Sequence, residues 1–421
     1  MKTRKEKYLY KMYRLACFLM LVRFVTTEDN PFSPLSAFYI DPLFTSNVED
    51  VSAHYPDISH ESIEQIKNQP CGQWITSIHD IGYDESDHVY VIYNLPNRDC
   101  NSVSSNGHLC CNETCWDGCT IACQRGFTDC SQATQKYHDF IDEMCHRFHP
   151  LTKKIIILEP DAVANCASNL GNNGCTESTC AVYKENLKYA IDRMSVMENT
   201  FIYLDIGHGN WMGWENNIRN FVEWIHDLDL SKIRGFSINV SNYQDLGIPC
   251  QYHNVTRYSD FLNYCLHHQR DPCCKDPCNR LVRNNACNNE NNFIHIVSWH
   301  IRSASRYRFA SPDGAPRFVV DTSRNGESAK DCDVWCNNRM AALGSFPSIN
   351  TSMPMIDAFF WIKNPGFSDG CLINDHCREC SRYDKDCNRG PVNMGYYDDD
   401  QCPSESGVWY SQQLYDLVRN I

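Results

Sequence analysis

Two carboxylates separated by a proline follow a run of four apolar residues in the stretch IIILEPDAVAN, from Ile155 to Asn165. The apolar run is rich in β-branched side chains and predicts a buried strand. Glu159 and Asp161 would therefore stand at the end of a buried element, where an unpaired carboxylate is unfavourable. Ionisable groups retained in such places are often catalytic, so the sequence indicates an acid or a base at this point.

Acidic residues and tryptophans recur after other apolar runs of the chain. They lie in the stretches VIYNLPNRDC, YLDIGHGNWMGW, WCNN and FFWIKNPGFSDG, and the residues concerned are Arg98, Asp99, Asp205, His208, Trp211, Trp214, Trp335, Trp361, Lys363 and Asp369. Tryptophan rings pack against the apolar faces of sugars, while carboxylates bind hydroxyl groups and transfer protons. The combination favours a carbohydrate-binding cleft that contains an acid catalyst.

Each of these residues also has a structural interpretation. An Asp that follows a strand is frequently the N-cap of the next helix, and tryptophans are usually part of the core. Asp99 beside Arg98 is compatible with an ordinary ion pair, and His208 taken alone with a scaffold histidine. These interpretations lose weight because so many such residues follow successive apolar runs.

The apolar runs alternate with longer amphipathic stretches. Helical spacing of apolar residues is found, for example, in 131–147, 179–197 and 214–228. Alternation of strand and helix over this length predicts a parallel α/β barrel-like domain, whose catalytic groups lie at the carboxyl ends of the strands. Asp161, Asp205 and Asp321 fall at such ends. The runs predicted as strands are Trp74–Ile78, Val89–Tyr93, Ile155–Leu158, Phe201–Asp205, Gly235–Asn239, Phe318–Asp321 and Ala358–Ile362.

Composition limits the kind of partner. The chain has 421 residues, 42% of them hydrophobic, and a formal net charge of −14. This is enough apolar material for a full core. An acidic protein lacks the positive surface that nucleic acid or an anionic membrane requires, so we expect no nucleic-acid partner. Neutral or cationic ligands fit the charge better.

The first 27 residues have the pattern of a secretory signal peptide, in which basic residues precede an apolar stretch from Leu15 to Val25. This stretch is short for a membrane span of about 20 residues, so a retained anchor is the alternative interpretation. We assign residues 28–421 to a single domain. We expect secretion, no membrane association after cleavage, a monomer, and no cofactor or metal.

Cysteine usage agrees with export. The chain has 26 cysteines, of which 25 follow the predicted signal, many of them in runs such as CCNETCWDGCTIAC. We interpret them as disulfides of surface inserts at 110–130, 265–287 and 371–387; zinc is the alternative, disfavoured because few histidines are close. The odd number predicts one unpaired thiol. Sequons at Asn112, Asn254 and Asn350 suit a secreted surface, and a fourth lies at Asn239.

Taken in order, the motifs resemble glycoside hydrolase family 6, the inverting cellobiohydrolases and endoglucanases that cut β-1,4-glucan. The resemblance covers nearly the whole chain after the signal and is carried by YNLPNRDC, ILEPDAVAN, NLGNNGC, YLDIGHGNWMGW, FSINVSNY, VVDTSRNG, WCN and FWIKNPGFSDG. It implies a distorted seven-stranded parallel α/β barrel, with the active site in a cleft or tunnel roofed by two loops. It also implies a β-1,4-glucan such as cellulose as substrate.

The resemblance implies roles for individual residues. Asp161 matches the general acid, Asp99 the second carboxylate that raises the pKa of the acid, and Asp369 the residue often proposed as base, acting directly or through a water chain. Tyr93 matches a tyrosine that crowds the distorted sugar. Positions that line sugar subsites in the family are Trp74, Trp211, Trp335, His208, Asn239 and Lys363; Asp205 and Trp214 join them as candidate substrate contacts from the residue pattern.

Two further expectations follow from the resemblance. A glycan on Asn239 would block the cleft, so this sequon is expected to be bare. The two disulfides of the family correspond to Cys100 with Cys175 and to Cys336 with Cys402.

The sequence departs from the family pattern in two places. Phe367 stands where the family usually has Glu, which removes a polar sugar contact beside Asp369. A cysteine-rich insert after Asn106 falls in the loop that carries or follows Asp99, and the position of this loop decides between exo and endo action, which stays open. The alternative to an active β-1,4-glucanase is a glucan-binding or developmental protein with little turnover.

Overall fold

The computed structural model describes residues 30–82, 84–112, 119–248, 263–265, 267–268, 270–274, 289–304, 306–326, 334–375, 377–388 and 402–421. The predicted signal peptide and the sequon at Asn254 lie outside these ranges. Within them, no helix combines the length and the apolar character that crossing a membrane requires.

Seven strands form one parallel sheet in which each strand pairs with the next one along the chain. Their bounds are Gln73–Ile75 (β1), His88–Ile92 (β2), Lys154–Leu158 (β3), Thr200–Asp205 (β4), Gly235–Ile238 (β5), Arg317–Asp321 (β6) and Ile356–Phe360 (β7). Each predicted strand overlaps one of them, which confirms the predicted barrel of seven parallel strands. The sheet curls so that Cys71, two residues before β1, meets Trp361, the residue after β7, at a single parallel bridge.

The first strand is shorter than predicted. A 3-10 helix, Ile78–Asp80, begins after Ser77, whose side chain and that of Asp80 form a capping box. The carboxylate of Asp80 also accepts hydrogen bonds from the backbone of Thr76 and Ser77, both at 2.8 Å. The polar residues after Ile75 therefore satisfy one another in a turn and do not extend the ladder.

Helices pack on the outer face of the sheet and, near both ends of the described chain, against one another. Among the described residues they are Pro42–His54 (α1), His60–Lys67 (α2), Ile121–Gln124 (α3), Ser131–Arg147 (α4), Ala162–Ser168 (α5), Glu177–Met194 (α6), Gly209–Met212 (α7), Glu215–Trp224 (α8), Glu290–Ser303 (α9) and Ser411–Arg419 (α10). In α4 the buried residues Tyr137, Ile141 and Met144 recur at helical spacing and form the face toward the sheet. The prediction for 131–147 is thus confirmed, and those near 179–197 and 214–228 overlap α6 and α8.

Alternation along the strands separates two apolar cores. Val89 and Val91 of β2 face the interior of the barrel, where Phe32 from the N-terminal segment is fully buried. Tyr90 and Ile92 belong instead to the core between sheet and helices. Because side chains of successive strand residues point to opposite faces, a strand covered on both sides reads as a continuous apolar run. This explains why the predicted strands were so visible in the sequence.

The described cysteines are mostly paired, in agreement with the disulfide interpretation. Cys100 bonds to Cys175 as predicted. The predicted pair of Cys336 and Cys402 is wrong: Cys336 bonds to Cys387, and Cys402 bonds to Cys377. The cause is that the insert folds back over Gly370, where a Cβ atom would lie 2.8 Å from the sulfur of Cys387. The other described pairs are 110–119, 111–130, 166–180, 265–274 and 371–380.

Two described cysteines are free, Cys71 and Cys145, which already exceeds the single unpaired thiol that was predicted. Two cysteine-containing clusters come close enough to suggest a metal site, Cys265 with Cys273 and Cys274, and Cys371 with Cys380 and Glu405. All five cysteines are in disulfides, so their sulfur atoms are not available as thiolate ligands.

Candidate active site

The carboxyl ends of β2 and β3 are joined through Glu159, the first acidic residue of the EPD stretch. Its side chain is buried and accepts hydrogen bonds from the backbone of Asn94 (3.0 Å) and Leu95 (3.2 Å) and from the hydroxyl of Tyr137 (2.9 Å). Burial raises its pKa to about 7 against the opposing effect of these donors. Glu159 therefore links the ends of β2 and β3 through hydrogen bonds. Of the two carboxylates in the EPD stretch, Asp161 is the one that remains as the candidate for catalysis.

Asp161 occupies the N-cap position of α5 without capping it. Its φ of 66° is left-handed, and its side chain makes no cap hydrogen bond. The structural interpretation of this residue as a helix cap is therefore wrong: Asp161 stands at the N-cap position, but its side chain does not cap the helix. The carboxyl group is half-buried, and burial, then Asp205, then Asp99 raise its pKa well above the ordinary value, while Lys363 opposes them. Such a group keeps its proton to a higher pH than an ordinary carboxyl group does.

Asp205, at the end of β4, fixes the backbone of Asp161. One of its oxygens accepts hydrogen bonds from the backbone of Asp161 (2.9 Å) and Gly207 (3.1 Å), and the other accepts one from the Ser237 hydroxyl (3.0 Å). The side chain is fully buried, and burial raises its pKa to about 7 despite these donors. Asp205 is thus placed to hold the left-handed turn of Asp161, and its oxygens already have partners within the protein.

Asp99 lies on the loop after β2, where Asn97 and Asp99 both have left-handed φ values, 56° and 57°. The hydroxyl of Ser105 donates a hydrogen bond to its carboxylate. Burial raises the pKa of Asp99, with Ser105 and Arg98 acting in the opposite direction. Non-glycine residues in this conformation are uncommon and are found most often at functional sites, which supports a functional role for this turn.

Arg98 is occupied by the backbone and does not form the simple ion pair with Asp99 that the sequence allowed. Its guanidinium donates to the carbonyl of Tyr93 and, at 3.0 Å, to that of Ser105. It also lies over the Tyr93 ring, 4.4 Å from the centroid. Arg98 therefore shapes the loop that presents Asp99 and supports Tyr93 from behind.

Asp369 is surrounded by donors. Its carboxylate accepts from Arg324 (2.9 Å), Lys363 (3.2 Å), the Tyr243 hydroxyl (2.6 Å) and the backbone of Asn337 (2.9 Å). Burial by itself would raise the pKa of Asp369, but Arg324 and Lys363, together with these hydrogen bonds, lower it below the ordinary value. Asp369 is a carboxylate throughout the neutral and mildly acidic range.

A cluster of aromatic and cationic groups connects this carboxylate with the loop after β2. The Trp74 ring meets the Tyr93 ring edge-on, with centroids 5.4 Å apart, and the Lys363 ammonium lies 5.6 Å from the Trp74 ring centroid. The Trp74 indole donates to the carbonyl of Ile362 (3.1 Å), which ties β1 to the segment after β7. The structure thus brings Trp74, Tyr93 and Lys363 together, as the sequence hypothesis requires of a common site.

The loop after β4 carries the second group of predicted contacts. His208 is half-buried, burial lowers its pKa to about 4, and its Nδ1 atom has no hydrogen-bond partner. Its ring lies 6.1 Å from that of Trp211. The indole of Trp211 donates to Ser168 (2.7 Å) and that of Trp214 to Asn210 (3.0 Å), and both rings are half-buried. His208 is neutral near pH 7, and its Nδ1 has bonding capacity to spare.

Asn239 is not exposed as a contact on the surface of a cleft would be. It is fully buried with a φ of 61°; its amide donates to the carbonyl of Asp321 (2.9 Å) and accepts from the backbone of Gln244 (3.0 Å). A fully buried amide with both ends bonded has no room for a glycan. Among the other predicted positions, Trp335 is half-buried, as is Phe367, whose backbone pairs with that of Trp409 in an isolated bridge.

Sequence reasoning missed the residues that hold Asp369. Arg324 is fully buried, and it donates to Asp369 and to Tyr243, whose ring centroid lies 4.3 Å from the guanidinium. Both residues lie in motifs noted above, VVDTSRNG and FSINVSNY. Their local sequence gives no sign of a shared partner, because it is the parallel pairing of β5, β6 and β7 that brings the ends of these strands together.

A curled barrel of parallel strands with carboxylates and tryptophans at its carboxyl ends defines a class of protein, the carbohydrate-active hydrolases of barrel type. Residues 35–421 match the model of glycosyl hydrolases family 6. The chain belongs to this family and is therefore a glycoside hydrolase.

Individual relatives agree. The chain is 27% identical over 336 residues to 1,4-beta-D-glucan cellobiohydrolase CEL6C of Podospora anserina, a match that covers 78% of this chain and 69% of the relative. It is 27% identical to 1,4-beta-D-glucan cellobiohydrolase C of Emericella nidulans, covering 79% of this chain but only 60% of the relative's length. The solved CcCel6A catalytic domain complexed with p-nitrophenyl beta-D-cellotrioside superposes with a TM-score of 0.67 at 25% identity, covering 93% and 97% of the two chains.

Proposed function

We propose that this protein is a secreted, inverting glycoside hydrolase that cleaves β-1,4-glucosidic bonds of cellulose or a related β-glucan. The substrate class is supported by the relatives named 1,4-beta-D-glucan cellobiohydrolases and by the similar catalytic domain complexed with a cellotrioside. The single observation that carries the mechanism is the contrast between Asp161, whose raised pKa keeps it protonated, and Asp369, whose lowered pKa keeps it ionised.

Asp161 is the general acid. It donates its proton to the glycosidic oxygen as the bond to the anomeric carbon breaks, so that the leaving sugar departs as a neutral alcohol. A carboxyl group with an ordinary pKa would have lost this proton at the pH of use. Burial is the main cause that prevents this loss, and the neighbouring carboxylates of Asp205 and Asp99 add to it, because a further negative charge near them is unfavourable.

Asp99 is the electrostatic partner of the acid. Positive charge develops on the sugar ring in the oxocarbenium-like transition state, and a nearby carboxylate stabilises it. Tyr93, which is packed between Trp74 and Arg98, has a fixed ring position from which it crowds the sugar and favours a distorted ring. Because Arg98 bonds to backbone carbonyls, the charge of Asp99 is not neutralised by direct pairing with it.

Asp369 is the base, and it acts through water. Each of its oxygens already accepts from at least two donors, which leaves little capacity for a direct bond to the attacking water. Its lowered pKa also makes it a weak base, so the attacking water loses its proton late, after positive charge has built up on the anomeric carbon. The carboxylate orients a water chain and takes the proton at the end of it.

The remaining predicted residues divide into contacts and supports. Trp74, Trp211, Trp214 and Trp335, all half-buried, supply ring faces for glucose units, and His208 supplies a polar contact. The ammonium of Lys363 is buried and donates to Asp369 and to the carbonyl of Ser368, which leaves one of its three donors for a sugar hydroxyl. Asp205 and Asn239 act behind them, because their polar atoms are bonded within the protein. Secretion is supported by the disulfides and the N-terminal signal pattern. We propose a monomer that needs no cofactor or metal.

The stereochemistry of the product tests this mechanism. In an inverting enzyme the acid and base carboxyl groups are roughly 6.5–9.5 Å apart and leave space for a water, and a β-linkage gives an α-configured new end. A soluble cello-oligosaccharide is hydrolysed, and the products are followed by NMR before mutarotation. We expect the α-anomer first; an early β-anomer would indicate a retaining mechanism, with Asp99 as the nucleophile about 5 Å from the acid.

A glucan-binding protein with little turnover is the second candidate, and one observation favours it. Phe367 replaces the family's Glu two residues before Asp369, so the polar network there lacks one sugar contact. A reducing-sugar assay on amorphous cellulose separates the two candidates. Turnover that disappears in Asp161→Asn supports the hydrolase, whereas binding to cellulose without release of reducing ends supports the binding protein.

A further inference from the structure

The loop that carries Asp99 is held firmly at its base. The Tyr183 hydroxyl donates to the carbonyl of Asn97 (2.5 Å), and Cys100 is bonded to Cys175. Beyond Cys100, Asn173 donates to the carbonyl of Asn101 (3.1 Å) and Arg98 donates to that of Ser105 (3.0 Å). Two left-handed residues make this short turn unfavourable on its own, so each further contact to the segment Ser102–Ser105 helps to hold it in place.

Asp384, from the insert at 371–387, meets this segment. One of its oxygens accepts hydrogen bonds from the Ser102 hydroxyl (3.0 Å) and from the backbone of Val103 (2.9 Å). Its other oxygen accepts from the backbone of Asp386 (2.9 Å), which holds the carboxylate in place. The residue is 6% exposed, so these bonds are largely shielded from competing water.

The insert can reach Ser102 because Gly370 has no side chain. A Cβ atom there would lie 2.9 Å from the Cβ of Ser104 and 2.8 Å from the sulfur of Cys387. The bond between Cys387 and Cys336 then fixes the turn that follows Asp384. The loop after β2 and the insert after β7 are thus joined to each other.

Asp384 also brings a negative charge to Asp99. Burial is the largest cause of the raised pKa of Asp99, and Asp384 adds to it, against Ser105 and Arg98. Besides Asp384, the charged or titratable groups that interact with Asp99 come from the ends of β2 and β3 and from α6: Arg98, Tyr93, Asp161 and Tyr183.

We propose that Asp384 is a positioning residue for Asp99: it holds the segment Ser102–Val103 of the Asp99 loop by hydrogen bonds and adds its own negative charge to that segment. This rests on the proposed function, in which Asp99 stabilises positive charge as a carboxylate. The hydrogen bonds fix where Asp99 stands relative to the sugar, and the charge helps to set the pH at which it ionises. The cysteine-rich insert therefore belongs to the catalytic apparatus and is more than a surface elaboration.

The test compares Asp384→Ala, which removes both the acceptor and the charge, with Asp384→Asn, which keeps an acceptor and removes the charge. Asp375→Asn is the matched control, because Asp375 is an exposed carboxylate of the same insert. kcat and KM are measured on a soluble cello-oligosaccharide across the pH range. Wild-type turnover is established first, and its absence would contradict the proposed function and not the role of Asp384.

We expect Asp384→Ala to lose about 10- to 100-fold in kcat with little change in KM, since a displacement of about 1 Å can cost about 10²-fold. Asp384→Asn should retain kcat at its optimum, but the acidic limb of kcat/KM should move to lower pH, because Asp99 ionises more easily without the neighbouring charge. Asp375→Asn should match the wild type. If Asp384→Ala does not fold, the acidic limb of the kcat/KM profile of Asp384→Asn still tests the proposal.

The proposal is overturned if kcat of Asp384→Ala stays within about twofold of the wild type, far short of the expected loss. It is equally overturned if the acidic limb of Asp384→Asn coincides with that of the wild type. A support that only stabilised the insert would lower the melting temperature of both variants without moving that limb.

Discussion

Asp161 and Asp369 are the same residue type, yet their surroundings give them opposite properties. Burial raises the pKa of both. Around Asp161 the carboxylates of Asp205 and Asp99 raise its pKa further, and Lys363 opposes them only in part. Around Asp369 they are Arg324 and Lys363, so its pKa falls below the ordinary value.

In the proposed mechanism, this difference is what separates the acid from the base within one barrel. The ends of β3 and β4 bring carboxylates together, and repulsion between them keeps one proton in place. The segments after β6 and β7 bring two cations to one carboxylate, and attraction removes its proton. Pairs of titratable groups whose surroundings push their pKa values apart are the usual sign of divided acid and base roles.

Removing the acid should have the largest effect. Asp161→Asn should keep the fold and glucan binding but lose a factor of about 10² or more in turnover, the range of general acid catalysis. The loss should shrink on a dinitrophenyl cellobioside, whose leaving group departs without a proton. Asp192→Asn, an exposed carboxylate paired with Lys232, is the control. Wild-type turnover in Asp161→Asn would end the assignment of the acid.

The effects of substituting the two aspartates on stability should have the opposite order to their effects on turnover. Asp369→Asn leaves Arg324 and Lys363 as buried, uncompensated cations and should lower the free energy of unfolding by about 3–5 kcal/mol. Asp161→Asn should change it by no more than about 1 kcal/mol, as it replaces a protonated group by a neutral one of the same shape. Urea unfolding of the oxidised proteins measures both. Equal losses would show that the two surroundings do not differ as described.

The pH dependence of activity sharpens the comparison further. Asp161 must be protonated, and its raised pKa means that activity is present below that pKa and is lost as the pH rises through it. Asp205→Asn removes one of the charges that raise it. The basic limb of kcat/KM should therefore move to lower pH, whereas the remote control Asp192→Asn should leave it in place. A basic limb that stays put, or moves to higher pH, would contradict the proposed coupling.

The smallest effect is expected beside Asp369. Phe367→Glu introduces the residue usual in the family and should lower KM by roughly two- to tenfold, the worth of one hydrogen bond of about 0.5–1.5 kcal/mol. kcat should change little, because the substitution does not alter the protonation of Asp161. Phe367→Leu serves as the control for the lost ring. If Phe367→Glu raises KM instead, the half-buried ring is itself a sugar contact.

Much of this protein was predictable from the sequence because its signals are local. Each strand of the barrel is covered on both faces, so it reads as a short apolar run, and the carboxyl end of each run marks the functional edge. IIILEPDAVAN identified Asp161 in this way, and the order of the motifs identified the family before any contact was known.

Cysteine pairing and the division of polar residues were not predictable in this way. Cys336 bonds to Cys387 because the insert folds back over Gly370, a path that no spacing along the chain reveals. Asp205 and Asn239 looked like substrate contacts, yet both are fully buried and bonded within the protein. Burial depends on what the other strands bring near, which the local sequence does not contain.

The sequence by itself determined the elements, the edge where the chemistry lies and the residues that stand there. Only the tertiary structure decided which carboxylate keeps its proton. A pKa depends on charges a few ångströms away in space, and Asp161 and Asp369 take theirs from residues distant in the chain: Asp205 and Asp99 for the one, Arg324 for the other.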